Sequence, residues 1–128
     1  EQSDVISIHL PLTKETSRWI DGTFMDYMKH GSILINTSRG NIVQLADLVE
    51  RLENGQIKGA CLDVFENEKP QAYSETEHQV MLRLSKMDQV ILTPHVAGWT
   101  TESKRKIAKI LLKRIIYVAE NQDRSEFD

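Results

Sequence analysis

Four places in the chain carry residue types able to move a proton or hold an anion. They are His9, the run Asn36-Thr37-Ser38-Arg39, the run from Asp63 to Glu68, and His95. An arginine can grip a carboxylate through two parallel hydrogen bonds. A histidine exchanges a proton near neutral pH, and a carboxylate beside an imidazole favours its charged form. Arg39, a carboxylate and His95 meeting at one place would suffice for acid–base chemistry on an anionic substrate. Each residue also has a plainer alternative. Arg39 could be a surface ion pair at a strand end, His95 a cap on the helix that follows, and His9 a satisfied core histidine. Glu66 and Glu68 lie two residues apart, and either could be a solvated charge. Asp63 ends an apolar run, where an uncompensated carboxylate is costly, so it is expected to be hydrogen-bonded, to a cofactor or to backbone.

The elements that must position these residues follow from the apolar pattern. Ser32-Ile33-Leu34-Ile35 is a short apolar run that ends in Asn36, Arg39 and Gly40, and reads as a buried strand delivering its last residues to a loop. Val5 to His9 is an earlier strand, closed by Leu10-Pro11. Thr13 to Thr16 is a polar turn able to start a short helix, and Thr23 is expected to cap a second one over Phe24 to Lys29, stopped by His30-Gly31. Leu45, Leu48, Val49 and Leu52 fall at helical spacing, with Gly55 where a left-handed C-cap belongs. Lys58 to Val64 is the third strand, and Glu66 to Tyr73, which contains Pro70, is a loop. Ser74-Glu75-Thr76-Glu77 has the form of a capping box ahead of Val80, Met81, Leu82 and Leu84. Gln89 to Leu92 is a fourth strand, ended by Thr93-Pro94-His95. A long helix is expected from about Thr101 to Glu120, with an apolar face of Ile107, Ile110, Leu111, Ile115 and Val118, and a frayed polar end from Asn121 to Asp128. Strands alternating with helices predict an α/β fold with a parallel sheet. Ligands bind beyond the carboxyl ends of such strands, and there His9, Asn36 to Arg39, Asp63 to Glu68 and His95 would share one edge.

Composition narrows the class. With 128 residues, 40% of them hydrophobic and 27% charged, the chain suits one globular domain with a substantial core. Its 16 basic and 19 acidic residues are interspersed, which argues against a nucleic-acid binder. Lys104, Arg105, Lys106, Lys109, Lys113 and Arg114 alternate with apolar residues and read as a solvated helix face. The single cysteine, Cys61, lies in an apolar run, so it reads as an inert core thiol; it allows no internal disulfide framework and fits a reducing compartment. The best candidate for a membrane span, Ile110 to Ala119, is broken by Lys113 and Arg114, and no secretory signal is visible, so a cytoplasmic protein without membrane contact is expected. His30 and His78 read as solvated. No His, Cys or carboxylate pair has ligand spacing with a supporting partner, so no metal is expected. There is no internal repeat. The sequence also contains no Gly-x-Gly-x-x-Gly and no phosphate loop.

Asn36-Thr37-Ser38-Arg39-Gly40, Leu62-Asp63-Val64-Phe65-Glu66-Asn67-Glu68 and Thr93-Pro94-His95, in this order and spacing, resemble the signature segments of the NAD-dependent D-2-hydroxyacid dehydrogenases, among them phosphoglycerate, glycerate and D-lactate dehydrogenases. The resemblance runs from Ser3-Asp4-Val5 and His9-Leu10-Pro11-Leu12-Thr13 to the helix after His95. It implies that Arg39 binds the substrate carboxylate and carbonyl oxygen. His95 would be the general acid and would also border the cofactor, and Glu68 would hydrogen-bond it. Asp63 would contact the nicotinamide amide, while His9, Leu10, Pro11 and Thr37 would line NAD. The substrate would be a small 2-hydroxy or 2-keto acid, 3-phosphoglycerate being one candidate, and the enzyme a homodimer. Two departures stand out: Lys69 separates Glu68 from Pro70, where the family often has proline directly, and the connection from Lys69 to Asp88 is polar with an extra helix start. In addition, Trp99 is large where some branches carry a small polar residue. Trp99 would trim the substrate pocket or pack on the outgoing helix.

The fold implied is the second half of a doubly wound, Rossmann-type NAD-binding domain, with a long C-terminal helix. Residues 1–99 would be that half domain, and residues 100–128 the helix leading back towards a substrate domain. The first strand begins almost at the first residue, so the chain reads as part of something longer and is expected to lack dehydrogenase activity alone. Two rival readings use the same fold: an NAD-responsive binding or regulatory module without turnover, and a generic α/β interaction domain.

Overall fold

Four parallel strands form one sheet in the order β1-β2-β3-β4: β1 is Val5–Ile8, β2 Ser32–Asn36, β3 Ile57–Leu62 and β4 Val90–Leu92. The computed structural model describes residues 2–121. The three crossovers carry α1 (Gly22–Asp26), α2 (Leu45–Glu53) and α3 (Glu75–Ser85), and α4 (Thr101–Asn121) follows β4. The expected frayed end beyond Asn121 lies outside the described residues.

The register explains why chemistry can gather at one edge. Ile8, Asn36, Leu62 and Leu92 are successive partners across the sheet, so all four strands end on one line. The loops that follow therefore start side by side. One face of the sheet, with Ile8, Leu34, Ala60 and Leu62, joins the core made with Met25, Leu48, Val49, Leu52, Val80 and Leu84 from the helices. α1 packs against α2, and α2 against α3. On the other face Val5 and Ile91 are 51% and 59% exposed. Cys61 is on that face, half-buried, rather than in the core expected for it.

α2 forms where the periodicity predicts. Leu45, Leu48, Val49 and Leu52 are all buried, and Gly55, at φ 80°, takes the left-handed turn that ends it. The capping box of α3 is complete, with Ser74 and Glu77 exchanging backbone-to-side-chain bonds. α1 starts earlier than expected. Asp21, not Thr23, is its cap, because Asp21 has the extended backbone a cap needs and its carboxylate accepts the Phe24 N–H at 2.8 Å. Thr13 to Thr16 makes a single turn, closed by Ser17 N–H to the Thr13 carbonyl at 3.0 Å, and no helix follows before the left-handed Arg18 at φ 57°. β3 stops at Leu62 rather than Val64, since its partner strands end at Asn36 and Leu92.

Residues up to His95 form one compact unit, and those from Val96 a second. Within the second, Ile107, Ile110, Leu111, Ile115 and Val118 of α4 are exposed, and so are Leu112, Ile116 and Tyr117, so the apolar arc is wider than the expected stripe. The Lys104 ammonium stands 5.3 Å from the centre of the Trp99 ring. No helix is long and apolar enough to cross a membrane among the described residues.

Candidate active site

The turn after β2 is built by Asn36. Its fully buried side chain accepts the Ser38 N–H and donates to the Arg39 carbonyl, both at 3.0 Å. This side-chain mimic of a backbone turn leaves Arg39 exposed beyond the strand end. One guanidinium N–H donates back to the Ser38 carbonyl at 2.7 Å. Gly40 then meets the backbone of Phe65 so closely that a Cβ would stand 1.9 Å from the Phe65 carbonyl carbon. Only glycine permits that approach. The loop bearing Arg39 and the one bearing Glu68 are thus joined through their backbones.

The Ser38 hydroxyl donates to the Leu10 carbonyl and ties the turn to the end of β1. Between these two loops lies an open groove of about 510 Å³, lined by His9, Leu10, Pro11, Leu12, Ser38 and Arg39. His9 is exposed and pairs its Nε2 with the Ser7 hydroxyl at 2.8 Å, so it is no core histidine. Thr37 stands exposed in the turn beside them.

Beyond β3 and β4 a second cluster forms. Asp63 is only 4% exposed, and its carboxylate accepts the Thr93 hydroxyl at 2.5 Å. The His95 N–H donates to the Asp63 carbonyl at 2.8 Å and the Thr93 carbonyl at 3.0 Å. These bonds hold His95 in the left-handed backbone region, at φ 56°, which is uncommon for a residue with a Cβ. Its Nδ1 lies 2.9 Å from Glu68 Oε2, with both side chains about half exposed. A carboxylate on Nδ1 fixes the ring's orientation and leaves Nε2 for proton exchange.

Neighbouring groups are arranged around this pair. Phe65, Tyr73, Met81, Leu92 and Pro94 line an apolar pocket of about 390 Å³ whose wall includes Glu68 and His95. Burial, and then the Glu77 and Glu68 carboxylates, push the Tyr73 phenol above its ordinary range, so it stays neutral. Glu66 is not a solvated charge. Its side chain is 23% exposed and lies 3.9 Å from Arg18. Burial pushes its carboxyl up, against the pull of Arg18 and a hydrogen bond from the Leu45 backbone at the start of α2.

The structure thus brings together two sets at one edge: His9, Leu10 and Pro11 with Arg39, and Glu68 with His95, with Asp63 tied to His95 by backbone. The residues suit a nicotinamide nucleotide. Leu10 and Pro11 offer apolar surface for a ring, and the Asp63 carboxylate is an acceptor suited to a carboxamide N–H. Among the described residues no group of three or more His, Cys, Asp or Glu could hold a metal ion. Sequence reasoning missed Thr93 as the donor to Asp63, Ser38 as the tie to Leu10, and Asn67. All three sit inside matched motifs, yet nothing in their spacing tells which carbonyl or carboxylate they reach.

Comparison with known proteins places the chain's sequence and fold within one family. The family described as "D-isomer specific 2-hydroxyacid dehydrogenase, NAD binding domain" matches residues 1–97. The chain is 36% identical over 128 residues to a D-specific alpha-keto acid dehydrogenase of Enterococcus faecium, covering 96% of this chain and 40% of that protein. It is 40% identical over 122 residues to a glyoxylate reductase of Thermofilum pendens, covering 95% of this chain and 34% of the other. A solved D-lactate dehydrogenase from Aquifex aeolicus, complexed with NAD and lactic acid, superposes with a TM-score of 0.74 at 35% identity, over 93% of this chain and 38% of that one. The chain therefore spans at most 40% of the length of these relatives.

Proposed function

This chain belongs to the D-isomer specific 2-hydroxyacid dehydrogenases, as part of their NAD-binding domain, and on that premise we propose that it carries the acid–base half of a dehydrogenase active site. The reaction is reduction of a 2-keto acid to the D-2-hydroxy acid, and its reverse. When bound, NAD(H) would supply or accept the hydride at the substrate's carbonyl carbon. Arg39 binds the substrate carboxylate and its carbonyl oxygen, orienting the carbon and stabilising the charge that grows on oxygen. His95 gives the proton on Nε2 to that oxygen, and takes it back in the oxidative direction. Glu68 holds Nδ1, so the ring keeps one orientation through the cycle. Asp63 receives the nicotinamide amide, and His9, Leu10, Pro11 and Thr37 line the cofactor.

The supporting observation is the 2.9 Å contact of His95 Nδ1 with Glu68 on the sheet edge that also presents Arg39. Substrates of the similar proteins differ in their names, so the substrate class is a small 2-keto acid, with 3-phosphohydroxypyruvate, the keto form of the phosphoglycerate substrate, one member of the test panel. A cytoplasmic homodimer completes the reading. The test is steady-state reduction of several 2-keto acids by the full-length protein. His95→Ala is expected to lower kcat by about 10²- to 10⁴-fold while NADH binding persists. Full activity in that variant would remove the assigned acid. Tight NADH binding without turnover of any acid would favour a regulatory module instead. The 128 residues alone contain no Gly-x-Gly-x-x-Gly, and on this reading they turn over no NADH.

A further inference from the structure

Glu68 lies in a segment, 63–69, that has no helix or strand to hold it. Its upstream side is fixed: Phe65 is pressed against Gly40, and Glu66 is engaged at the start of α2 by Arg18 and the Leu45 backbone. On the downstream side one side chain bridges the loop. Asn67 Oδ1 accepts the Lys69 N–H at 3.0 Å, and its Nδ2 donates to the Ala72 carbonyl at 3.3 Å. Ser74, and after it the Asn67 amide, hold the Glu77 carboxyl below its ordinary range, and Glu77 closes the α3 capping box by accepting the Ser74 N–H at 2.7 Å. The two bonds of Asn67 straddle Glu68 and reach Ala72, two residues before the Ser74 cap of α3.

We propose that Asn67 is a positioning residue, tying the loop that carries Glu68 to Lys69 and Ala72, just ahead of α3, and so holding the Glu68 carboxylate on His95 Nδ1. The inference deepens the dehydrogenase reading and rests on it for its kinetic consequences only. An amide suits the position because it offers an acceptor and a donor at once. Alanine has neither, and aspartate would keep the acceptor for Lys69 but set a second negative charge against Glu77. The device also needs an N–H at position 69, which Lys69 supplies and a proline could not.

The experiment is a double-mutant cycle in the full-length protein, with the ¹⁵N shift of the His95 imidazole as a second readout. Asn67→Ala is expected to lower kcat by about tenfold with KM for NADH unchanged, and to cost nothing further in a Glu68→Ala background. The His95 Nδ1 resonance should move in Asn67→Ala in the same direction as in Glu68→Ala. Asn67→Asp combined with Glu77→Gln, which pairs the acid with an amide again, should recover part of the loss. An equal loss with and without Glu68 would show general loop support and overturn the proposal, as would an unmoved Nδ1 resonance. If the wild-type protein reduces no 2-keto acid, the dehydrogenase reading fails, and the Nδ1 shift alone decides the role of Asn67.

Discussion

Glu66 shows how a residue within a motif can have a purely electrostatic identity. It lies two positions from Glu68 and reads from sequence as its equal, yet one is half-exposed on His95 and the other is largely buried against Arg18. Burial raises the Glu66 carboxyl above its unfolded value. Its contribution to stability is therefore full below the ordinary carboxylate range and is lost as pH rises through the raised value. Glu66→Gln removes that titration. The melting temperature of the variant minus that of the parent should become more positive between about pH 4 and pH 7; a flat difference would count against burial as the dominant influence. At this scale the contact of Glu68 with His95, and the place of Arg39 at the same sheet edge, were legible because motif and spacing carry them. Thr93 and Asn67 were not, since their roles depend on which backbone carbonyl or carboxylate lies across a loop, and no periodicity encodes that.

Elements were legible where burial sets the pattern and less so where a single hydrogen bond does. The stripe Leu45, Leu48, Val49, Leu52 fixed α2, and the Ser74–Glu77 box fixed the start of α3. The start of α1 slipped because both Asp21 and Thr23 are competent caps, and only backbone geometry chooses between them. Gly40 and Phe65 pass each other with no room for a Cβ between them. Gly40→Ala would force the backbones of two loops apart, with no flexible side chain to absorb the strain. We expect a loss of about 3 kcal/mol in urea unfolding, within the range seen for overpacked sites. A variant as stable as the parent would mean that the loops separate without cost.

For the molecule as a whole, the parallel sheet was readable from alternating strand and helix patterns, and the common edge follows from register: Ile8, Asn36, Leu62 and Leu92 end together. The sheet face carrying Val5 and Ile91 was not readable, because a strand buried on both sides and one buried on a single side share the same apolar run. Contiguous apolar surface favours association. Ile91→Lys, at a residue 59% exposed, should reduce concentration-dependent sedimentation of the 128-residue chain with little change in its melting temperature. Identical sedimentation would place the association elsewhere. The Gly40–Phe65 contact has a further consequence at this scale. It acts as a fixed datum for the loops that carry Arg39 and Glu68, because neither backbone can shift there without meeting the other. Where the two loops cross, the gauge between their backbones is thus set by a single missing methyl group.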